Sequence, residues 1–165
     1  MTKHVLVLCT GNSARSILGE ALFNQLGKGR VRAFSAGSKP TGAVHPAALR
    51  LLRRKRVDVS QLRSKSWDEL AQPGAVPIDI VITVCGNAAG EACPVFPGRA
   101  VRAHWGLADP AAVNGGEAAE DRAFERTYEL LRMRVEAFLA LPFETMDPID
   151  LQRELDAIGS WEGAA

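Results

Sequence analysis

The chain has no long apolar run, no surplus of either charge and few cysteines, and each shortage removes a class of answer. Its longest apolar stretches, Val5 through Cys9 and Ile80 through Cys85, fall far short of the roughly 18 residues that a membrane span needs. No membrane partner is expected. Lys3 precedes the first stretch, but that stretch is too short for the core of a secretory signal and no cleavage-like site follows, so a cytoplasmic location is expected. Twenty basic residues against nineteen acidic ones give a formal charge of +1, too little for a strong non-specific hold on nucleic acid or anionic lipid. No nucleic-acid partner is expected. Three cysteines cannot pair off completely, and in a reducing compartment they point to free, catalytic or redox thiols.

What is present is ordinary for a folded domain. A length of 165 residues, with 47% hydrophobic and 24% charged, allows a buried core without staples. No internal repeat or low-complexity tract interrupts it. We read residues 1–141 as one domain and 142–165 as a helical extension of it. Short β-branched runs at Val5–Cys9, Val31–Ser35, Ile78–Cys85 and Val101–His104 read as strands, the first and third apolar enough to be covered on both faces.

Between them the spacing predicts helices. Ser13–Leu26 aligns Ile17, Ala21, Leu22 and Leu26, with Gly27 as a left-handed stop. Pro46–Arg56 opens on proline and closes on four basic residues, which suit a solvated helix end better than a nucleic-acid dock. Ser66-Trp67-Asp68-Glu69 has capping-box spacing. Asp121–Leu141 carries the strongest 3.6-residue pattern, and Asp147-Pro148 starts a last helix that Gly159 ends. Such alternation predicts an α/β fold, three-layer αβα, with a four-stranded parallel sheet whose ligands bind beyond the strands' carboxyl ends.

The first strand runs into Cys9-Thr10-Gly11-Asn12-Ser13-Ala14-Arg15-Ser16 and then straight into a helix. Backbone N–H groups of Thr10, Gly11, Asn12, Ser13, Ala14, Arg15 and Ser16, the helix N-terminus and the Arg15 fork suit a tetrahedral oxyanion. The same donors favour a thiolate, so Cys9 is expected to be ionised near neutral pH, with Ser16 able to donate to its sulfur and Asn12 to brace the loop. Asp109 precedes proline, where it can open a turn or supply a proton. Cys85 closes the third strand, on the edge that bears Cys9, and Cys93 follows a segment rich in glycine and alanine. These two could be redox partners, unrelated buried thiols, or with His104 a zinc set, although the spacing fits no standard zinc pattern.

The sequence resembles the low-molecular-weight protein tyrosine phosphatase superfamily, and within it the thiol-dependent arsenate reductases. The resemblance rests on VLVLCTGNSARS, Ser35-Ala36-Gly37, Asp58-Val59-Ser60, Val84-Cys85 and His104-Trp105-Gly106-Leu107-Ala108-Asp109-Pro110, and covers roughly residues 3 to 140. It implies that Cys9 attacks arsenate, with Arg15 holding the oxyanion and Asp109 as general acid, phosphate or sulfate being analogues. Cys85 and then Cys93 would relay the oxidation as disulfides, reset by thioredoxin or by glutaredoxin and glutathione, with no metal and no organic cofactor. The alternatives are a phosphatase using Cys9, Arg15 and Asp109 alone, and a non-catalytic oxyanion-binding redox sensor. Tyr128 is the only tyrosine, so the paired tyrosines of the family's phosphatases are missing. Potassium-binding members carry an acidic residue where this chain has Lys65, which speaks against a cation site beside Asn12 and Ser35.

Overall fold

A computed structural model describes residues 2–86 and 96–161. Four strands, β1 (Lys3–Leu8), β2 (Val31–Ala36), β3 (Ile80–Thr83) and β4 (Val101–His104), form one sheet in the order β2-β1-β3-β4. Every pairing is parallel, with Leu8 opposite both Ala36 and Thr83, and Thr83 opposite His104. The carboxyl ends of all four strands therefore share one edge, as the alternation of elements predicts.

Four α-helices are described: α1 (Arg15–Gly27), α2 (Pro46–Arg54), α3 (Gly116–Leu139) and α4 (Pro148–Gly159). The two-residue period of β1 sends Val5 and Val7 into a large cluster with buried residues of all four helices. Leu6 and Leu8 point the other way, into a smaller cluster with Val81, Phe96, Trp67 and Leu70. Trp105 and Phe96, equally at home in the core or at the mouth of a site by sequence, are both core. No helix among the described residues is long and apolar enough to cross a membrane.

Several boundaries differ from expectation for identifiable reasons. Gly27 remains helical, and the left-handed residues are Lys28 and Gly29. The glycine is required instead by packing, since a Cβ there would lie 3.0 Å from the Val31 Cβ. Helix α1 starts at Arg15 and buries every residue from Ser16 to Phe23, a broader surface than the one face expected. Helix α2 stops at Arg54, two residues early, because the chain turns through a positive φ at Arg56. The capping-box segment forms only a 3₁₀ turn at Trp67–Leu70, in which Ser66 caps the Asp68 N–H. Strand β3 is shorter than its apolar run, although Val84 N–H still donates to Leu8 O. Helix α3 begins five residues earlier than its apolar pattern, after a left-handed Gly115.

The basic end of α2 faces acids across the helix interface. Arg50 meets Asp121 at 2.8 Å and Lys55 meets Glu125 at 2.6 Å, so part of that cluster joins α2 to α3. The last helix packs on β4. Its Gly159 sits where any Cβ would lie 2.3 Å from His104 O, and Trp105 Nε1 donates to Leu155 O at 3.0 Å.

Candidate active site

The loop between β1 and α1 takes its shape from where its carbonyls point. Thr10 O accepts from Lys39 N, Gly11 O from Thr41 N and Ser64 Oγ, and Ser13 O from His45 N, all between 2.9 and 3.2 Å. His45 thus supports the loop while its Nδ1 caps α2 by accepting from Ala47 N. With these carbonyls engaged outward, the N–H groups from Gly11 to Ser16 donate to no acceptor among the described residues. Helix α1 also has no side-chain cap at its N-terminus. Converging free N–H groups at a helix start form a cradle for a tetrahedral anion.

Two residues set the loop's conformation. Asn12 adopts a φ of 44° and is fully buried, with Oδ1 accepting from Lys65 N at 2.8 Å and Nδ2 donating to Ser16 Oγ at 2.9 Å. Gly37 at the end of β2 lies so close that a Cβ would stand 2.3 Å from Thr10 O and 2.5 Å from Cys9 O. Asn12 thereby ties the loop to the backbone at Lys65 and to the start of α1. Ser16 pairs with Asn12, and no hydrogen bond to Cys9 is found for it among the described residues.

Arg15 spans the site. Its Nη1 donates to Leu107 O at 2.8 Å, Nη2 stands 3.9 Å from Asp109 Oδ2, and buried Nε has no partner among the described residues. One nitrogen anchors the side chain, which leaves the Nε and Nη2 edge for bidentate oxyanion contact. Asp109 opens the turn: Oδ1 caps the Pro110–Ala112 turn by accepting from Ala111 N, while Oδ2 faces the arginine. Its side chain is 45% exposed, so it can exchange protons with solvent.

Cys9 and Cys85 are both buried and unoxidised, and Cys85 lies close enough to Cys9 to act on its proton. Thr10 N–H also donates to Cys85 Sγ at 3.4 Å, and the Thr10 hydroxyl lies 3.7 Å from that sulfur. The hydrogen bond with Cys85 and burial push the Cys9 thiol up, against the opposite pull of Arg15 and the Thr10 N–H. Both upward influences oppose the ionisation of Cys9 expected from sequence. The expectation weighed the loop's donors but not a second sulfur acting on the proton. Cys93 lies outside the described residues.

Behind the loop, Lys65 Nζ stands 3.9 Å from Glu20 Oε1, which accepts from Ser35 Oγ at 2.5 Å. Burial pushes the Lys65 ammonium down and the Glu20 carboxyl up, and each group partly offsets the other's shift. An ammonium group therefore occupies the neighbourhood of Asn12 and Ser35. Glu20 was missed in the sequence, where its one signal is a lone charge inside the apolar run Ile17–Phe23. His104 pairs with Thr83 Oγ1 through Nδ1 at 2.7 Å, and no cluster of three metal-ligating groups occurs among the described residues.

Comparison with known proteins matches residues 4–154 to the low molecular weight phosphotyrosine protein phosphatase family. An arsenate reductase of Halalkalibacterium halodurans is 34% identical over 82% of this chain and 94% of its own length. The solved structure of an arsenate reductase in its phosphate-binding state superposes with a TM-score of 0.66 at 27% identity, covering 84% of this chain and 98% of the other. A thioredoxin-dependent arsenate reductase of Corynebacterium glutamicum gives a TM-score of 0.53 at 25% identity, covering 82% of this chain and 62% of the other.

Proposed function

The chain belongs to the low molecular weight phosphotyrosine protein phosphatase family, and on that footing we propose that it reduces arsenate to arsenite with Cys9 as nucleophile. The observation that carries the reading is a second free, buried thiol beside the first: Cys85 acts on the Cys9 proton and accepts from the Thr10 N–H of the oxyanion loop at 3.4 Å. A phosphatase needs one sulfur. Reduction of As(V) to As(III) needs two electrons, and a pair of thiols joining as a disulfide supplies them.

Arsenate binds to the free N–H groups of the loop and to the Nε and Nη2 edge of Arg15. Cys9 Sγ attacks arsenic as an As–O bond breaks, and the thiol proton ends on the departing oxygen as water, with Asp109 assisting the transfer. Cys85 then attacks Cys9 Sγ. The S–As bond breaks toward arsenic, which leaves as arsenite with the electron pair, and a Cys9–Cys85 disulfide remains. Cys93 next attacks Cys85, frees Cys9 and leaves a Cys85–Cys93 disulfide for an external dithiol such as thioredoxin to reduce.

The test couples NADPH oxidation to arsenate through thioredoxin and its reductase, beside release of nitrophenol from an aryl phosphate. Arsenate-dependent NADPH oxidation is expected. The second reading, a phosphatase, is favoured by the completeness of Cys9, Arg15 and Asp109 without any other thiol, and nitrophenol release with no NADPH consumption would establish it. Cys93→Ser should stall after one turnover with Cys9 joined to Cys85, as read by mass spectrometry of digested protein. Multiple turnovers by that variant with thioredoxin would remove Cys93 from the relay.

A further inference from the structure

Residues Trp105 to Leu107 link β4 to the turn that bears Asp109, and each is tied down separately. Trp105 N–H donates to Thr83 O, its indole Nε1 to Leu155 O, and Leu107 N–H to Val84 O. The two consecutive carbonyls of this link are held by two arginines from different helices. Leu107 O accepts from Arg15 Nη1 of α1, and Gly106 O accepts from Arg134 Nη1 of α3 at 3.1 Å.

Arg134 is an unusual occupant of its position. It is 1% exposed, between Leu131 and Val135 in the packed face of α3. Among the described residues it forms no ion pair, its Nη2 has no hydrogen-bond partner, and burial alone pushes its guanidinium down. A well-packed apolar side chain in such a place is generally no worse for stability than an incompletely satisfied charge. Its one hydrogen bond fixes the Gly106–Leu107 peptide, whose N–H is already held by Val84 O. Releasing the carbonyl would leave that peptide pinned at its N–H alone and free to tilt about that bond, with Asp109 two residues further on.

We infer that Arg134 is a positioning residue for the proton donor: it locks the Gly106–Leu107 peptide so that Asp109 stays beside Arg15. The inference rests on the reductase reading above and adds to it a residue from outside the oxyanion loop.

The test measures arsenite release in a single turnover by the full, prereduced chain and its variants Arg134→Met, Arg134→Lys, Asp109→Asn and the combinations of each Arg134 variant with Asp109→Asn. Arg134→Met should lower the rate at saturating arsenate about tenfold and leave the half-saturating concentration within about twofold, because the oxyanion cradle is untouched. Arg134→Lys, which keeps one donor, should recover part of the loss. Neither change should slow Asp109→Asn further by more than about twofold, since the two residues act through one group. Thermal unfolding checks that each variant is folded. Should Arg134→Met not fold, Arg134→Lys carries the comparison, with a loss of about threefold confined to chains that retain Asp109. An unchanged rate, or a loss that multiplies with that of Asp109→Asn, overturns the inference. Failure of the unaltered chain to release arsenite would instead remove the reductase reading itself.

Discussion

The acidity of Cys9 is decided by its neighbour. Cys85 opposes its ionisation, while Arg15 and the Thr10 N–H favour it. Cys85→Ala removes the largest upward influence and should move alkylation of Cys9 about one to three pH units lower, whereas Arg15→Gln should move it higher. Iodoacetamide labelling followed peptide by peptide across pH reads both shifts, and movement in the same direction would contradict this account. Asp109 offers a clean substitution as well. Asparagine keeps an oxygen for the Ala111 N–H and so keeps the turn, but it cannot donate a carboxyl proton. Asp109→Asn should therefore lower kcat for arsenate about a hundredfold with little change in KM, as steady-state kinetics would show.

Among the elements, the end of β2 has the narrowest tolerance. Gly37 lies against the backbone carbonyls of Cys9 and Thr10, and backbone cannot move aside as a flexible side chain can. Gly37→Ala should cost about 1–3 kcal/mol in urea unfolding and displace the cradle enough to reduce oxyanion affinity. A fully stable variant with unaltered phosphate binding would show that the loop yields at that point. Helix α1 illustrates what a linear pattern conveys. Its apolar spacing placed the element, but Gly27 reads equally as a handed stop and as a packing gap, and only the position of Val31 separates the two. Arg134 presents the same difficulty, since a polar residue between Leu131 and Val135 could lie on either side of the helical stripe.

Across the whole molecule, what was legible is what is local or dictated by parallel topology. An apolar strand, the Cys9-to-Arg15 loop and a following helix lie together in the chain. Parallel strands then bring the ends after Leu8, Thr83 and His104 to one edge, so Cys85 and Asp109 could be placed near Cys9 without knowing the packing. The contacts that tune the site were not legible where they cross between distant segments with no shared edge to announce them: Lys65 with Glu20, Arg134 with Gly106. The Lys65 ammonium beside Glu20 and Ser35 has a consequence at this scale. With a cation already fixed behind the loop, arsenate turnover in potassium chloride and in sodium chloride of equal ionic strength should agree within about twofold. A strong preference for potassium would mean that the lysine does not hold that place.

The outward anchoring of the loop carbonyls also determines how the protein tells similar anions apart. A receptor already shaped by its own scaffold admits any guest of matching size and charge, and it has little means of refusing phosphate at the door. Discrimination must come after entry, from what the visitor can undergo. Phosphate is not reduced by thiols and departs at its original oxidation state as a competitor, whereas on the proposed reaction arsenic is committed once the second thiol closes on the first.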